Sequence, residues 1–554
     1  MPSFNLIDNK WIPCILVTSG QEELSIREIF TELKMSGIQE ISDSSPLVTV
    51  GIHRLLLAIL HRNFGPRDGS AWAKIWNSGD WDTTKLMGYL DKWHDRFNLF
   101  DEKYPFYQSA SLPVSAIDAK GKVKSYASSV SGLIHELAAG GNATLFDHST
   151  DDKTYSISSA EAARLLVAFQ PYAVGGLLTF ETGQDPKLYK SADNAPMVKG
   201  AAILVKGDNL FRTLMLNLNS YGVSKNDTTA DAPAWEQEHD ALREESPKGL
   251  LDLLTWQSRR VKLIQEQNAV THVVIMKGNQ FPDNYSLHEK EPMLAFRKVL
   301  KPTKGQDPLP PLAFREDRAL WRDSLSLFES TVDKTRPLIL DWLSELTFEG
   351  HIAQSTVINL EVMGMITNQA KIILWRDERL PLPIIYLEDK KLCEKLKTAL
   401  EIADKADRLL GPGFHSIKVT DKDGKKKEML FPSPLRQLAA GILYPANPRE
   451  ADKNAVVALV LSISPSRSFW AEMGISFDYL LSKLPEDQQG GEYGATILPW
   501  WNKVVRNAAL KAFDQAVEAI DQTGRILKET TLAEKEFRIQ LAKIIPNTKK
   551  GGEA

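Results

Sequence analysis

The stretch LCEKLKTALEIADKADRLL, residues 392–410, decides the architecture of the C-terminal third of the chain. Its apolar residues recur at alternating spacings of four and three, which puts them on one face of an α-helix. These residues are Leu392, Leu396, Ala399, Ala403, Ala406 and Leu410. Because such an apolar face is buried by packing against another helix, the stretch predicts a helical domain.

Further helices are predicted after this one. Residues 466–484 read as a helix, and a second apolar face follows at Val505, Ala509, Ala512, Ala516 and Ala519. Thr531-Leu-Ala-Glu534 has the pattern of a capping box that opens a helix reaching Ile544. Four helices of this length predict a four-helix bundle in the domain of residues 381–554.

Residues 1–380 mix helical and strand patterns with long loops, so the fold class of the whole chain is predicted as α+β. Ser25-Ile-Arg-Glu28 is a capping box, and Ser45-Pro46 places Pro at the first position of a helix. The predicted helices are residues 47–61, 82–97 and 159–169. The predicted strands are a hairpin of residues 4–7 and 11–17, paired strands in 197–218, and β-like runs at 250–265 and 271–277.

Composition limits the function classes. The 554 residues, 43% of them hydrophobic, exceed one compact domain, and the formal net charge is only −4. A protein that binds nucleic acid on its own usually carries a basic surface. Any nucleic-acid contact of this chain must therefore be local or shared with partner chains.

The cysteines and the apolar runs predict an intracellular protein. Cys14 and Cys393 are the only cysteines, which excludes a disulfide framework and a zinc site of four cysteines. The N-terminus has no signal-peptide pattern, and the longest apolar run, residues 455–461, is far short of the ~20 residues that span a membrane. We expect a soluble cytoplasmic protein with no zinc and no other cofactor.

Enzyme motifs are scarce. The sequence has no Walker A loop, no dinucleotide-binding G-x-G-x-x-G, no G-x-S-x-G and no H-E-x-x-H. The dipeptide His239-Asp240 is typical of metal-dependent phosphohydrolases, and Asp147-His148 adds possible metal ligands. No further histidine lies close to either pair in sequence, so polar loops are the simpler interpretation, and we expect no enzyme.

Five segments, taken in order, resemble the large subunit of Cascade, the type I-E CRISPR surveillance complex (the CasA family). The segments are NLIDNKWIP (5–13), WHDRFNLF (93–100) with YPFYQ (104–108), DAPAW (231–235), LTWQS (254–258) and LEVMGMITNQA (360–370). The resemblance covers nearly the whole chain. It implies binding without catalysis: this subunit recognises the short PAM beside a target in double-stranded DNA and opens the duplex, so that the guide RNA pairs with one strand and an R-loop forms. A separate helicase-nuclease is then recruited to degrade the DNA.

The resemblance carries three PAM-reading elements onto this sequence. A glycine loop corresponds to Gly175 and Gly176, where the missing Cβ lets the backbone approach DNA. A lysine finger corresponds to Lys277, whose ammonium suits the acceptors of the minor groove. The glutamine wedge, which holds the first base pair apart, corresponds to Asn368-Gln369-Ala370.

A further loop is implied to reach other Cascade subunits and the end of the guide RNA. It corresponds to Asn142, Thr144, Leu145, Phe146, Asp147 and His148. Leu145 and Phe146 would be its apolar anchors. Basic residues near the PAM elements are candidates for phosphate contacts: Arg259, Arg260, Lys262 and Arg376.

Two alternatives stay open at this point. One is a scaffold that only holds other subunits. The other is a phosphohydrolase or nuclease that uses His239, Asp240, Asp147 and His148.

Overall fold

The computed structural model describes most of the chain. The described residues are 3–31, 37–117, 121–135, 155–220, 231–238, 242–303, 307–329, 335–368, 371–420, 426–489, 491–520 and 523–546. The chain divides into two compact units, Met1–Leu380 and Pro381–Ala554. The mixed helix-and-sheet content confirms the predicted α+β class.

The first unit mixes strands with helices. Its strands are β1 (Ile12–Leu16), β2 (Gly20–Leu24), β3 (Ile38–Ile41), β4 (Ser115–Ile117), β5 (Val123–Ser125), β6 (Ser128–Ser129), β7 (Gly176–Leu177), β8 (Ser191–Ala192), β9 (Ala202–Lys206), β10 (Arg259–Glu266), β11 (Ala269–Lys277), β12 (Val357–Asn368) and β13 (Lys371–Pro383), which runs past the boundary. Its helices are α1 (Ile26–Thr31), α2 (Pro46–Phe64), α3 (Gly69–Ser78), α4 (Thr83–Lys92), α5 (Ser159–Tyr172), α6 (Pro186–Tyr189), α7 (Leu210–Asn217), α8 (Leu250–Leu254), α9 (Leu325–Phe328) and α10 (Leu338–Phe348).

Three small sheets organise this unit, in the orders β2-β1-β3, β10-β11-β6 and β13-β12-β9. Helix α2 lies in the core, because every residue from Pro46 to His61 is buried. It packs against α5 and α8. Its Arg54 forms an ion pair with Glu291 over 2.8 Å, and the two side chains are 2% and 0% exposed. A charge pair therefore lies within the core of this unit.

The second unit is mainly helical. Its elements are α11 (Lys390–Leu410), β14 (Phe414–Thr420), β15 (Lys426–Pro432), α12 (Pro434–Leu443), α13 (Lys453–Ile463), α14 (Pro465–Lys483), β16 (Gln488–Gln489), β17 (Glu492–Tyr493), α15 (Ile497–Glu518) and α16 (Gly524–Ile544). All six apolar residues of the α11 face are buried, as predicted. The four predicted helices are present as α11, α14, α15 and α16. Since α12 and α13 also pack here, the four-helix bundle stays a prediction.

Both cysteines are buried free thiols. Cys14 lies on β1, and burial raises the pKa of its thiol to about 12. Cys393 lies on α11 and donates its Sγ hydrogen to the carbonyl oxygen of Tyr386 over 3.1 Å.

The predicted N-terminal hairpin is wrong in its pairing. β1 pairs with β2 and with β3, and residues 4–7 do not pair with β1. Residues 5–9 form a turn, in which the backbone N–H of Asn9 donates to the carbonyl oxygen of Asn5 over 2.8 Å. Leu6 and Ile7 are both fully buried, which removes the alternation that a half-exposed strand requires.

Two other predicted strand regions contain helices. Residues 197–218 hold β9 and then α7, which starts because the Asn209 side chain accepts a hydrogen bond from the backbone N–H of Arg212 over 2.8 Å. Residues 250–265 contain α8 and then all of β10 except its last residue.

One of the two predicted capping boxes is confirmed. The Ser25 backbone N–H donates to Glu28 Oε2 over 2.7 Å, and the Glu28 backbone N–H donates to Ser25 Oγ over 3.1 Å. The second is wrong, because Thr531 lies inside α16. Its hydroxyl donates to the carbonyl oxygen of Leu527, a bond typical of helix interiors.

Two buried histidines make the first unit sensitive to acid. Burial lowers the pKa of His53 to about 4 and of His61 to about 3. Both are neutral in the folded protein at pH 5, whereas in the unfolded chain they bind protons below pH ~6.5. Because the unfolded state then binds more protons, stability falls as the pH drops, by about 2 kcal/mol for each histidine between pH 7 and 5.

The variant His53→Gln should lose about half of this pH dependence, measured by urea unfolding at pH 7 and 5. The half-exposed His272 provides the matched control variant, His272→Gln, which is measured in the same way. An unaltered pH dependence in His53→Gln would contradict the assignment.

Candidate nucleic-acid interface

A tight hairpin positions Lys277. β10 and β11 are joined through Gln267 and Asn268, whose positive φ angles of 49° and 69° suit a two-residue turn between twisted strands. Lys277 ends β11 at the opposite end of the hairpin, where it pairs with Arg259. At Gly278 a Cβ atom would lie 2.5 Å from the backbone nitrogen of Arg259, so only glycine fits after the lysine.

The predicted glycine loop packs closely on a neighbouring segment. The backbone N–H of Gly175 donates to Asn194 Oδ1 over 2.7 Å. A Cβ on Gly175 would lie 2.8 Å from the backbone nitrogen of Asn194, so the absence of a side chain allows this approach. Gly176 then pairs with Ala192 in the short β7–β8 ladder. The loop is therefore held by the Asn194 side chain and by backbone pairing.

Arg259 connects the hairpin to the glycine loop. Its guanidinium donates to the carbonyl oxygens of Val174 and Asp193 over 2.9 and 2.8 Å, and to that of Ser258 over 2.8 Å. The side chain is 2% exposed, and burial lowers its pKa to about 10, which leaves it charged at neutral pH. Since its donors are turned inward to the backbone, a phosphate contact by Arg259, as the sequence suggests, does not fit this geometry.

Lys277 contacts the segment that returns from the glycine loop. Its Nζ donates to the carbonyl oxygen of Leu188 in α6 over 2.8 Å and to Glu244 Oε1 over 2.9 Å. Gln280, three residues further on, accepts a bond from the backbone N–H of Asp193 over 2.7 Å. The structure thus brings Lys277 and the glycine loop onto one surface.

The other candidate phosphate contacts hold the fold together. Arg260 donates to Ser111 Oγ over 3.1 Å. Lys262 donates to two backbone carbonyl oxygens, those of Ala110 and Leu112, both over 2.9 Å. Arg376 donates to the carbonyl oxygens of Glu316 and Arg318 over 2.6 and 3.1 Å. Any phosphate contact by these three would have to share or replace such bonds.

The remaining predicted site residues lie mostly outside the described residues. Asn368 ends β12, and Gln369 and Ala370 fall in the gap before β13. The predicted subunit loop, with Asn142, Thr144, Leu145, Phe146, Asp147 and His148, also lies outside the described residues, as do His239 and Asp240.

Sequence reasoning missed the residues that position the site. Asn194 and Gln280 orient the glycine-loop segment, and Glu244 pairs with Lys277. A usable signal was the Gly after Lys277, since glycine at a strand end indicates a close backbone approach. Nothing in the local sequence indicates which backbone approaches there.

Replacing Arg259 with methionine should loosen the glycine loop. Loss of its bonds leaves carbonyl oxygens unsatisfied, which should cost about 1–2 kcal/mol of stability. Amide hydrogen exchange in peptides covering residues 173–194 should accelerate. Lys262→Met is the control, because its ammonium bonds to the carbonyl oxygens of Ala110 and Leu112, outside this segment, and it should leave exchange in residues 173–194 unchanged. Equal acceleration in both variants would contradict the role of Arg259.

Two kinds of feature are absent from the described residues. Within the described ranges, no cluster of three or more His, Cys, Asp or Glu side chains is suited to hold a metal ion. Across the same part of the chain, every helix is too short or too polar to span a membrane.

Comparison with known proteins places the chain among the CRISPR-associated proteins. The family model for CRISPR-associated protein Cse1 matches residues 5–512. The chain belongs to this Cse1 (CasA) family, which confirms the resemblance seen in the sequence segments.

Individual proteins agree with the family assignment. CRISPR-associated protein CasA/Cse1 of Thermus thermophilus is 30% identical, with 97% of each chain covered. The crystal structure of Thermobifida fusca Cse1 is similar at a TM-score of 0.76 and 25% identity, with 98% of each chain covered. A chain of a CRISPR RNA-guided surveillance complex shares the fold at a TM-score of 0.71 and 19% identity, covering 97% of this chain and 100% of that one.

Proposed function

We propose that this chain is the large subunit of a guide-RNA-loaded Cascade complex of type I-E and serves antiviral defence in the cytoplasm. It recognises the PAM in double-stranded DNA, wedges the duplex open to start the R-loop, and helps to recruit a separate helicase-nuclease. It performs no chemistry of its own. The Cse1 family membership of the chain supports this assignment.

The observation that carries the proposal is the joining of Lys277 to the glycine loop. The Lys277 ammonium bonds to Leu188, and Arg259 bonds to Val174 and Asp193, so the end of the hairpin contacts the segment that contains the glycine loop. A glycine backbone that can approach DNA, next to a lysine that can reach minor-groove acceptors, suits a reader of base pairs at a duplex edge.

The proposed reading is loose in sequence. A·T and T·A pairs offer the same acceptors in the minor groove, and a G·C pair adds a donor. A single lysine therefore discriminates among classes of base pair more than among individual sequences. We expect several related flanking sequences to be accepted.

The proposed opening step relies on Gln369, between Asn368 and Ala370. Separating the first base pair costs stacking of about 1.4 kcal/mol as well as pairing. Since R-loop formation is nearly balanced in energy, one inserted side chain at the starting point is enough to bias it.

The proposed partners follow the same assignment. Residues 142–148 would contact the other Cascade subunits and the end of the guide RNA, with Leu145 and Phe146 as anchors. Arg260, Lys262 and Arg376 remain candidates for phosphate contacts, by sharing the bonds that they already make.

A band-shift experiment tests the proposal. The guide-loaded complex is assembled with and without this chain and mixed with duplexes that carry a matching target and different flanking sequences. The salt concentration is held fixed, because phosphate contacts make affinity strongly dependent on salt.

Tight binding that requires both this chain and a particular flank is the expected result. Binding that is the same without the chain would favour the scaffold alternative. Metal-dependent DNA hydrolysis by the pure chain, lost in His239→Ala, would favour the enzyme alternative.

A further inference from the structure

Lys277 does not project into solvent. Its side chain is 11% exposed, and two of the three N–H groups of an ammonium are taken by Leu188 O and Glu244 Oε1. Glu244 itself is 53% exposed. A carboxylate 2.9 Å away weakens the attraction between a lysine and DNA phosphates. The pairing with Glu244 therefore does not fit a lysine whose only role is to bind phosphates.

The fold holds Glu244 where it is. Its backbone forms a parallel bridge with Gln280. On the preceding residue, the carbonyl oxygen of Arg243 accepts a bond from the backbone N–H of Gln280 over 2.9 Å, and the N–H of Arg243 donates to Asn279 Oδ1 over 3.2 Å. The Arg243 guanidinium also pairs with the buried Asp252 over 3.0 Å. Glu244 is therefore fixed beside the residues that follow Lys277.

A groove beside this pair has few basic side chains in its lining. This groove is lined by Glu244, Glu181, Leu188, Tyr189 and Arg260, among others. Within this lining the two carboxylates outnumber the one guanidinium, and Arg260 lies 3.5 Å from Glu181. A DNA phosphate that entered the groove would be attracted less strongly, because Arg260 is already paired with Glu181 and Lys277 with Glu244.

We propose that Glu244 is a specificity-determining residue that neutralises Lys277, so that the lysine reads base acceptors and does not hold phosphates. Glu244 and the carbonyl oxygen of Leu188 each accept one N–H of the ammonium, and the third N–H is left for an acceptor in the minor groove. The opposite charges of Lys277 and Glu244 nearly cancel when seen from a distance. The pair therefore attracts DNA phosphates only weakly, and binding to DNA without the accepted flank is suppressed. This inference rests on the proposed function.

The variant Glu244→Gln tests it in the assembled complex. The affinity for a duplex with the accepted flank should change by less than about threefold, whereas affinity for a duplex with a rejected flank should rise by about three- to tenfold. The slope of log affinity against log salt on the rejected duplex should steepen by up to about one, the contribution of one additional phosphate contact.

Glu245→Gln is the matched control. This neighbour is similarly exposed, at 49%, but pairs with Arg243 over 3.2 Å and not with Lys277. It removes the same charge from the same segment and should leave flank selectivity and salt slope unchanged. Equal effects of the two variants would overturn the proposal, because Glu244 would then act only through its contribution to the surface charge and not through its contact with Lys277.

The double variant Glu244→Gln with Lys277→Ala separates this inference from the proposed function. If Glu244 acts through Lys277, the double variant should bind both duplexes as Lys277→Ala does. If Glu244→Gln raises binding to the rejected duplex equally in both backgrounds, the inference is wrong. If Lys277→Ala alone leaves flank dependence intact, the PAM-reading assignment fails too. If Lys277→Ala matters and Glu244→Gln changes nothing, only the inference fails.

Discussion

Replacing Glu291 with alanine should lower the free energy of unfolding of the first unit by about 3–5 kcal/mol, because it leaves the guanidinium of Arg54 buried without its carboxylate. The other contacts of Arg54, such as the bond to the carbonyl oxygen of Leu253 over 3.2 Å, do not balance its charge. Pulse-labelled hydrogen exchange along a urea titration, read on peptides from α2, would measure this unit separately.

A second variant distinguishes charge from packing. Replacing both partners with apolar residues, as in Arg54→Met with Glu291→Leu, should restore much of the lost stability, since a well-packed apolar pair avoids the cost of burying charges. Glu289→Ala, two residues away and exposed, should have no measurable effect. Equal destabilisation by the single and double replacements would show that shape, and not charge, is what the core requires at this point.

The double variant Lys277→Ala with Gln369→Ala should reduce flank-dependent binding of target duplex by the assembled complex on the order of 100-fold, since discrimination by a good base contact is worth about 1–3 kcal/mol and opening adds its own share. Complex assembly should be unaffected. Band shifts on duplexes with accepted and rejected flanks measure the first quantity, and size-exclusion chromatography of the complex measures the second.

The single variants should differ on a duplex whose first base pairs beside the flank are mismatched and already open. Such a substrate should rescue Gln369→Ala, because no base pair remains to be separated, but not Lys277→Ala, because the flank must still be read. Unimpaired binding by the double variant would refute the assignment of both residues and favour the scaffold alternative.

The parts of the fold that were predicted correctly carry strong local patterns. The 392–410 helix follows from its apolar face, and α2 follows from Ser45-Pro46 and the apolar run behind it. The errors occur where tertiary burial outweighs local preference. Leu6 and Ile7 match the pattern of a strand but lie in a buried turn. Residues 202–205 are all buried, and their apolar pattern gave no sign that the chain changes from strand to helix after Asn209.

The candidate site divides in a similar way. Gly175, Gly176 and Lys277 were assigned through their resemblance to known segments and their order along the chain, and their role in reading DNA stays a prediction. Arg259 was expected to contact phosphate, because a sequence does not reveal that the carbonyl oxygens of Val174 and Asp193 converge on it. Glu244 is 33 residues from Lys277 in sequence, and the pair forms only when Gln280 holds the two segments together.

The burial of both native cysteines has a practical consequence for experiments on this protein. Cys14 and Cys393 are both shielded by burial, and the raised pKa of Cys14 also keeps its thiol protonated, so we expect slow reaction with maleimides. A single cysteine introduced at an exposed position, such as Glu245, would therefore take up a fluorophore without prior removal of the native ones. Single-molecule fluorescence could then follow, in real time, how long the complex stays on each flanking sequence.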